Sequence, residues 1–195
     1  MCRFIETICF ENGQYPLLDL HQERVNKAFA YHFPGEKPHL LSEVLPQLDF
    51  KGKYKVRMEY DQESMDIEWS EYQKRTIRSI KLIPHDSIDY SHKYADRAEL
   101  KALYDQRGEA DEILIIKKGC VTDAFYYHPV FWDGKSWYCP DTYLLNGVMR
   151  QHLLREGKIR QLPINEKDIP SFRKICLINA MNGLGDVVVN SEWVR

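Results

Sequence analysis

The stretch Lys93-Tyr94-Ala95-Asp96-Arg97-Ala98-Glu99 places a lysine directly before a predicted helix. An acid followed three residues later by glutamate, as at positions 96 and 99, is typical of a helix N-terminus. Farther along the chain come Asp123, in a hairpin-rich region, and a glycine loop over 145–150 that leads into another predicted helix. An amine, a carboxylate and a helix start that can bind an anion, in that order, are the features on which the functional interpretation depends.

The composition predicts a folded globular protein without a dominant charge. The 195 residues are 44% hydrophobic and 29% charged, and the formal net charge is −2. Such a small net charge argues against nucleic acid or a membrane surface as the principal partner. The five cysteines are odd in number and form no C-x-x-C pair, which argues against a disulfide framework and against a zinc site.

The start of the sequence and the lack of a long apolar run favour a cytoplasmic location. Glu6 interrupts the first residues, so they lack the apolar core of a signal peptide. No segment reaches the roughly 18 consecutive apolar residues of a membrane-spanning helix. We therefore expect a cytoplasmic protein with reduced cysteines.

Hydrophobic periodicity predicts a mixed α/β fold of the α+β type with two subdomains. The N-terminal subdomain, residues 1–86, contains a hairpin signal at Asn12-Gly13 and a helix with Asp19 as its N-cap. A weaker helix follows over 39–48, and residues 53–60 alternate between apolar and charged side chains as a strand does.

The C-terminal subdomain, residues 87–195, is predicted to be rich in hairpins. Its turns include Lys118-Gly119 and Asp133-Gly134, and one of its helices is capped by Asn146. Because no flexible linker separates the two subdomains, we expect them to pack together and share a cleft.

Two features of the sequence could bind an anion. Gly147 lies where a loop becomes a helix, and the first amides of a helix are unpaired and partly positive. Taken alone, an ordinary helix capped by Asn146 explains this loop better. Arg24 lies on the apolar face of the first predicted helix, beside Val25 and Phe29. Its guanidinium must therefore either extend to water or meet an anion.

Lys93 and Asp123 are the candidate reactive groups. A lysine becomes a Schiff-base nucleophile when burial or nearby cations lower its pKa, and the aromatic residues around Lys93 indicate partial burial. By chemistry alone, Lys101, Lys117 and Lys118 stay open as alternatives. Taken alone, Asp123 would pass for a turn residue.

Seven segments give the chain a resemblance to a known family. They lie in the order that the family has, at residues 4–8, 18–24, 93–97, 110–114, 121–123, 145–151 and 177–183. The family is the class IV aminotransferases, the fold-type-IV pyridoxal phosphate enzymes, which include aminodeoxychorismate lyase and the branched-chain and D-amino-acid aminotransferases. Segments 93–97 and 177–183 are most similar to those of the lyase.

The resemblance implies a fold, a cofactor and a set of site residues. The C-terminal subdomain would be barrel-like and would carry both Lys93 and the phosphate loops. Pyridoxal 5'-phosphate would be the cofactor, and Lys93 would be the catalytic residue that forms an aldimine with it. A homodimer is also implied. The residues that the resemblance assigns to cofactor binding are Arg24, Lys93, Asp123, Ala124, Gly147, Val148, Met149, Asn179, Ala180 and Met181.

Within that set, the resemblance gives each group its own part of the cofactor. Arg24 and the amides that follow Gly147 would hold the phosphate, and residues 179–181 would form a second loop beside it. Asp123 stands where the family has a glutamate that binds the pyridine nitrogen, since a carboxylate favours the protonated ring.

Three departures from the family pattern concern the substrate more than the cofactor. Asp123 is one methylene shorter than the usual glutamate, so it must sit closer to the ring or act through water. Residues 124–128 are bulky where the family has small polar residues, which should narrow or reshape the substrate pocket. The leading strand and glycine turn that the family has before residues 4–8 are missing, and the chain is shorter than typical members.

The resemblance favours a 4-amino-4-deoxychorismate lyase, which eliminates pyruvate and releases 4-aminobenzoate for folate biosynthesis. Transamination of branched-chain or D-amino acids is the first alternative, and a protein that binds the cofactor without catalysis is the second. RNA binding by Lys51, Lys53, Lys55 and Arg57 is disfavoured, because these charges alternate with apolar residues as on a solvated sheet face. Among the histidines, His92 and His128 could line the pocket, or each could have a structural or surface role.

Overall fold

The computed structural model describes residues 2–47, 49 and 51–195. By their internal contacts these residues form two compact units. The first unit extends through Gln73 and includes the later segment His92–Asp96, and the second comprises Lys74–Ser91 and Arg97–Arg195. These units are defined by contacts and do not test the predicted subdomain boundary between residues 86 and 87, which stays a prediction.

The first unit is a three-stranded antiparallel sheet with helices packed on it. Its elements are β1 (Phe4–Glu11), α1 (Leu18–His32), α2 (Leu41–Val44), β2 (Lys53–Tyr60) and β3 (Met65–Glu71), and the sheet order is β1-β2-β3. β2 matches the predicted strand over 53–60, and its alternation buries Val56, Met58 and Tyr60 against the helices. These side chains share one apolar core with Val25 and Phe29 of α1.

The second unit contains two sheets and two helices. Its strands are β4 (Ile80–Pro84), β5 (Glu112–Lys117), β6 (Cys120–Ala124), β7 (His128–Trp132), β8 (Trp137–Pro140), β9 (Arg160–Leu162), β10 (Lys174–Ile178) and β11 (Val188–Asn190); its helices are α3 (Ala98–Asp105) and α4 (Val148–Arg155). Two short 3-10 turns cover Glu166–Ser171 and Ser191–Trp193. The sheet orders are β4-β5-β6 and β11-β10-β7-β8-β9.

The two sheets of the second unit share one apolar core. Leu114 and Val121 from the three-stranded sheet pack in the same cluster as Phe131, Ile175 and Leu177 from the five-stranded sheet. The mixed α+β class is confirmed. In the described part of the chain the unit has two open sheets rather than one closed barrel, because the turn after β6 moves the chain into the second sheet.

The predicted helix starts are each displaced from the observed ones. α1 begins after Leu17, a residue in the left-handed conformation at φ 65°, so Asp19 lies inside the first turn instead of capping it. The N-cap of α3 is Arg97 rather than Asp96, and that of α4 is Gly147 rather than Asn146. The local sequence predicted each helix. The first helical residue, however, depends on the direction from which the preceding segment enters the helix.

Two further segments differ from the sequence prediction. Residues 12–13 do form a tight turn, with Gly13 at φ 84°, but the strand paired with β1 is β2 and not the segment after the turn. The helix predicted over 39–48 is observed only as α2, and residue 48 lies outside the described residues.

Neither membrane-spanning nor metal-binding features are found in the described residues. None of their helices combines the length and the apolar character that crossing a lipid bilayer requires. No group of three or more His, Cys, Asp or Glu side chains among them is placed to hold a metal ion.

Candidate functional site

A buried ion-paired cluster joins β1 to α1 in the first unit. Glu6 lies on β1, and its carboxylate is fully buried. Arg24 of α1 donates from Nε to Oε1 at 2.7 Å and from Nη2 to Oε2 at 2.5 Å. His21 lies one helical turn before Arg24, and its Nδ1 is 2.5 Å from Glu6 Oε2. A carboxylate inside an apolar strand needs such partners, because an unpaired buried charge is costly.

The cluster keeps a negative charge on Glu6. Burial by itself would raise the pKa of this carboxyl, but the Arg24 guanidinium and the His21 ring outweigh it and lower the pKa to about 2. Burial lowers the pKa of His21, and the positive charges of Arg24 and Lys93 act in the same direction. His21 is therefore neutral at pH 7, and its Nδ1–H donates to Glu6.

Lys93 belongs to the same unit as this cluster. Its backbone carbonyl accepts a hydrogen bond from the Ile5 amide at 2.9 Å, and the neighbouring Ala95 amide donates to the Arg3 carbonyl at 2.8 Å. The residue is half-buried, and its charge acts on the His21 ring. By its contacts, Lys93 thus belongs to the first unit with Arg24, another of the residues that the sequence singled out.

Asp123, at the end of β6 in the second unit, is held by three hydrogen-bond donors. His128 Nδ1 is 2.7 Å from Oδ1, and the amides of Leu144 and Leu145 donate to Oδ2 at 2.5 and 3.1 Å. A carboxylate offers about four acceptor positions, so these bonds leave one position on Oδ1. The Asp123 side chain keeps 12% of its surface exposed.

The bulky residues that follow Asp123 are mostly taken up by the interior of the second unit. Phe125 is buried and stacks on Tyr104 of α3 with ring centroids 4.4 Å apart. Tyr127 is part of the main apolar core, and His128 binds Asp123. Only Tyr126 of this segment is exposed, at 49%. That the segment narrows a substrate pocket stays a prediction. Tyr126 is the side chain of this segment that could do so, because it is the exposed one.

The glycine loop has open space in front of its first helical turn. A Cβ built on Gly147 would meet no atom within 4 Å, and the backbone there is at φ −63°, which any residue adopts. The first turn of α4 contains no acid. Behind the loop, Arg150 donates from Nη1 to the Asn146 side chain at 3.1 Å and from Nη2 to the Pro140 carbonyl at 3.3 Å.

The loop after β10 is organised by Asn179. Its Oδ1 accepts hydrogen bonds from the amides of Met181 and Asn182, both at 2.9 Å, and its Nδ2 donates to the Tyr126 carbonyl at 3.1 Å. The Met181 amide is therefore already used within the loop. Ala180 lies half-buried at the tip of this turn.

The backbone of Ala124 likewise has a structural partner. Its amide donates to the Tyr127 carbonyl at 2.8 Å and closes the turn that follows β6. Of the residues assigned to the second unit, Asp123 and the start of α4 therefore retain unused binding capacity, whereas Ala124 and Met181 donate their amides locally.

The sequence did not single out Glu6 or His21 as site residues, and it named His128 only as a residue that could line the pocket or be structural. For Glu6 a signal existed, because an acid inside an otherwise apolar strand needs a buried partner, and His21 and Arg24 occupy one face of the next helix. For His128 no local signal existed, since its contact with Asp123 depends on the turn over 124–127.

Comparison with known proteins identifies one family over almost the whole chain. Residues 3–189 match the sequence model of the Amino-transferase class IV family. An uncharacterized protein of Haemophilus influenzae is 40% identical over 188 residues, which are 94% of this chain and 100% of that protein.

Solved structures with the same fold include both lyases and aminotransferases by description. A candidate 4-amino-4-deoxychorismate lyase from Haemophilus somnus has a TM-score of 0.89 and 34% identity, over 94% of this chain and 98% of that chain. A candidate amino-acid aminotransferase from Mesorhizobium loti has a TM-score of 0.85 over 100% of both chains, but its 20% identity shows the fold alone. An aminotransferase from Brucella abortus, solved with pyridoxal phosphate bound, has a TM-score of 0.72 and 17% identity, over 96% of this chain and 79% of that chain.

The described residues fit pyridoxal phosphate within each unit. Asp123 retains one acceptor position and an exposed edge for a ring N–H. Gly147 leaves open space before the unpaired amides of α4, where a phosphate binds well. In the first unit, Lys93 supplies a half-buried amine near the Arg24 cluster.

Proposed function

Because the chain belongs to the Amino-transferase class IV family, we propose that it eliminates pyruvate from 4-amino-4-deoxychorismate and releases 4-aminobenzoate. Membership of the family makes it a pyridoxal-phosphate-dependent aminotransferase or lyase. The choice of the lyase reaction is supported by the 34% identity to the Haemophilus somnus protein, which is described as a candidate lyase and is covered over 98% of its length.

The observation that carries the proposal is the set of bonds around Asp123. Three donors hold this carboxylate in one orientation. A carboxylate fixed in this way would accept a hydrogen bond from the protonated ring nitrogen of the cofactor, and bound pyridoxal phosphate would supply an electron sink for the substrate carbon that carries the amino group.

The other residues bind the cofactor and move the proton. The Lys93 amine would hold the cofactor, and as a base it would take the proton from the substrate carbon that bears the amino group. The electron pair of the broken C–H bond closes the aromatic ring while the C–O bond to the enolpyruvyl group breaks. That group takes up a proton and leaves as pyruvate, so all atoms of the substrate appear in the two products.

The chain offers amides and charges that would hold the phosphate. In the second unit, the amides of Val148 and Met149, at the start of α4, would donate to its oxygens, and the helix dipole would add partial positive charge. Ala180, at the tip of the loop after β10, would lie beside the phosphate. The resemblance also assigns Arg24 of the first unit to the phosphate, and Glu6 holds its guanidinium in place through two hydrogen bonds.

Transamination is the alternative reaction, since the family includes both types and the same lysine serves both. The two reactions differ in their products. Purified protein loaded with cofactor should convert 4-amino-4-deoxychorismate into equal amounts of 4-aminobenzoate and pyruvate. Transfer of the amino group to a 2-oxo acid without 4-aminobenzoate would instead establish the alternative, and turnover of neither kind would leave a protein that binds the cofactor without catalysis.

The dependence of turnover on Lys93 has a matched control on the surface. Lys93→Ala should lower kcat by about 10²-fold or more, because the residue both binds the cofactor and transfers the proton. Lys101→Ala should leave kcat unchanged, since Lys101 is exposed and forms only a surface ion pair with Asp105 at 2.7 Å. Equal losses in the two variants would assign the effect to stability rather than chemistry.

Gly147→Ala tests the phosphate loop. The added methyl group meets no atom of the chain, so the free energy of unfolding should change by less than about 1 kcal/mol, whereas the Kd for pyridoxal phosphate should rise about tenfold because the methyl group occupies the phosphate position. Gly157→Ala is the control at the other end of α4, where φ is +65°. That variant should lose about 1–2 kcal/mol of stability and keep its affinity.

We also propose a cytoplasmic homodimer whose partners are small molecules rather than nucleic acid. The family resemblance supports the dimer, and the sequence composition supports the location. Light scattering on the purified holoenzyme should give twice the mass of the chain, and a monomeric mass would refute the dimer.

A further inference from the structure

The carboxylate of Asp123 connects β6 to the segment that precedes the glycine loop. Its Oδ2 accepts from the amides of Leu144 and Leu145, which lie three and two residues before Gly147. A second link runs in parallel, because the Thr142 hydroxyl donates to the Val121 carbonyl of β6 at 2.7 Å. The segment that leads into α4 is thus fastened to β6 at two points.

His128 holds the other oxygen of the same carboxylate from behind. Its ring is 4% exposed, and Nδ1 is 2.7 Å from Asp123 Oδ1. In the described part of the chain, Nε2 is buried without a hydrogen-bond partner. Because a carboxylate oxygen accepts, the proton of the hydrogen bond between the two residues is assigned to Nδ1, which donates to Asp123.

The buried position of His128 decides which of the two residues can meet the cofactor. Nε2 has almost no accessible surface, so the ring of a ligand cannot approach it without a rearrangement. Asp123 keeps an exposed edge and one unused acceptor position. The contact with the ring nitrogen therefore falls to Asp123, and His128 acts through it.

We propose that Asp123 has two tasks, binding the ring nitrogen of the cofactor and fixing the loop that binds its phosphate, and that His128 is the positioning residue for both. The ring-nitrogen task rests on the proposed function, whereas the loop task is a property of the chain without cofactor. A single carboxylate then sets the distance between the two ends of the cofactor site in this unit. His128 and the amides of Leu144 and Leu145 together fix the orientation of the Asp123 carboxylate.

The role of His128 predicts different results for two substitutions of similar size. Asparagine places its amide nitrogen where His128 has Nδ1, so His128→Asn keeps a donor for Asp123, whereas His128→Leu removes it. On ¹⁵N-labelled pyridoxal phosphate bound to the protein, the ring-nitrogen resonance should indicate a protonated ring in wild type and in His128→Asn. In His128→Leu it should move toward the position of the unprotonated ring.

The role of Asp123 in fixing the loop is measured on the protein without cofactor. Amide hydrogen exchange of Leu144 and Leu145 should be at least about tenfold faster in Asp123→Leu than in wild type, because both amides lose their acceptor. In His128→Leu the same amides should exchange faster than in His128→Asn. Two controls separate a local change at 143–148 from loss of the fold. Circular dichroism of each variant should match that of wild type, and exchange in β5 and β10 should be unchanged, because global unfolding would accelerate it there as well.

Each possible failure has its own meaning. Unchanged exchange of Leu144 and Leu145 in Asp123→Leu would overturn the loop task. A ring-nitrogen resonance that is the same in His128→Leu and wild type would overturn the positioning role of His128. If wild-type protein bound no pyridoxal phosphate at all, the proposed function and the ring-nitrogen task would fall together, while the exchange experiment would still decide the loop task.

Discussion

Each unit buries one glutamate completely, and the two carboxyl groups have opposite properties. Glu6 in the first unit and Glu112 in the second are both 0% exposed. The pKa of Glu6 is lowered to about 2 by Arg24 and His21 in spite of its burial. Burial raises the pKa of Glu112 to about 6, against the lowering effects of the Ile113 amide and of Arg75.

The difference lies in how each guanidinium is placed. Arg24 gives two hydrogen bonds to Glu6 within 2.7 Å. The nearest approach of Arg75 to Glu112 is 3.6 Å, and Arg75 donates from Nη2 to the Tyr104 hydroxyl at 2.8 Å and to the Asp111 carbonyl at 3.2 Å. Burial alone therefore does not decide the charge of these carboxyl groups. The direct, paired hydrogen bonds of Arg24 do.

The largest effect is expected for Glu6→Gln. Removing the charge leaves Arg24 next to an uncharged partner in a mostly buried position, which should lower the free energy of unfolding at pH 7 by about 3–5 kcal/mol. Urea unfolding measures this directly. Glu99→Gln is the control, since Glu99 is half-exposed and 3.9 Å from His85, and its effect should stay within about 0.5 kcal/mol. A loss below about 1 kcal/mol for Glu6→Gln would contradict the account of the cluster.

Arg24→Lys should convert the Glu6 cluster into one that resembles the Glu112 site. Lysine keeps the positive charge but cannot give two parallel hydrogen bonds to one carboxylate. We expect a loss of about 2–3 kcal/mol at pH 7, as for a charge-assisted hydrogen bond, and a rise in the pKa of Glu6. Because the folded-state pKa of Glu6 is below the ordinary value of 4.5, its stabilisation is present above that value and is lost as the pH falls toward 2.

In Arg24→Lys this loss should begin at a higher pH, so the midpoint of acid unfolding should move upward. Acid titration followed by circular dichroism measures the midpoint. An unchanged midpoint would mean that the positive charge alone, and not the paired geometry, sets the pKa of Glu6.

Glu112→Gln should have the smallest effect and the opposite sign. The folded-state pKa of Glu112, about 6, is above the ordinary 4.5, so its stabilisation is present below pH 4.5 and is lost as the pH rises through 6. At pH 8 the glutamine variant should therefore be more stable than wild type by about 1–2 kcal/mol. Unfolding free energies between pH 4 and 8 test this, and a less stable variant at pH 8 would show that Arg75 pairs with Glu112 after all.

The sequence predicted regular elements better than their ends. The strand over 53–60 was found with its observed bounds, because alternating Tyr54, Val56, Met58 and Tyr60 leave only one face to bury. The helix caps at Asp19 and Asn146 were misplaced, because the incoming segment determines where helical geometry begins. Local composition carries little information about that direction.

For the candidate site as well, the sequence predicted single residues from their local surroundings but did not predict their partners, which are distant in the sequence. Arg24 and Lys93 stand out by their position on an apolar face and before a helix, and the structure brings them into one unit. The partners that fix Arg24 and Asp123 depend on contacts across a sheet or a turn, as between Glu6 and Arg24 or between His128 and Asp123. Such pairs follow from the fold, so sequence spacing alone does not identify them.

The central claim is that the amine of Lys93 binds pyridoxal phosphate. The most direct test is the visible absorption spectrum of the purified protein after incubation with the cofactor and removal of the excess. Wild type and Lys101→Ala should show the band of a lysine-bound cofactor, and Lys93→Ala should lack it. A band that persists in Lys93→Ala, or a wild-type protein that stays colourless, would contradict the claim.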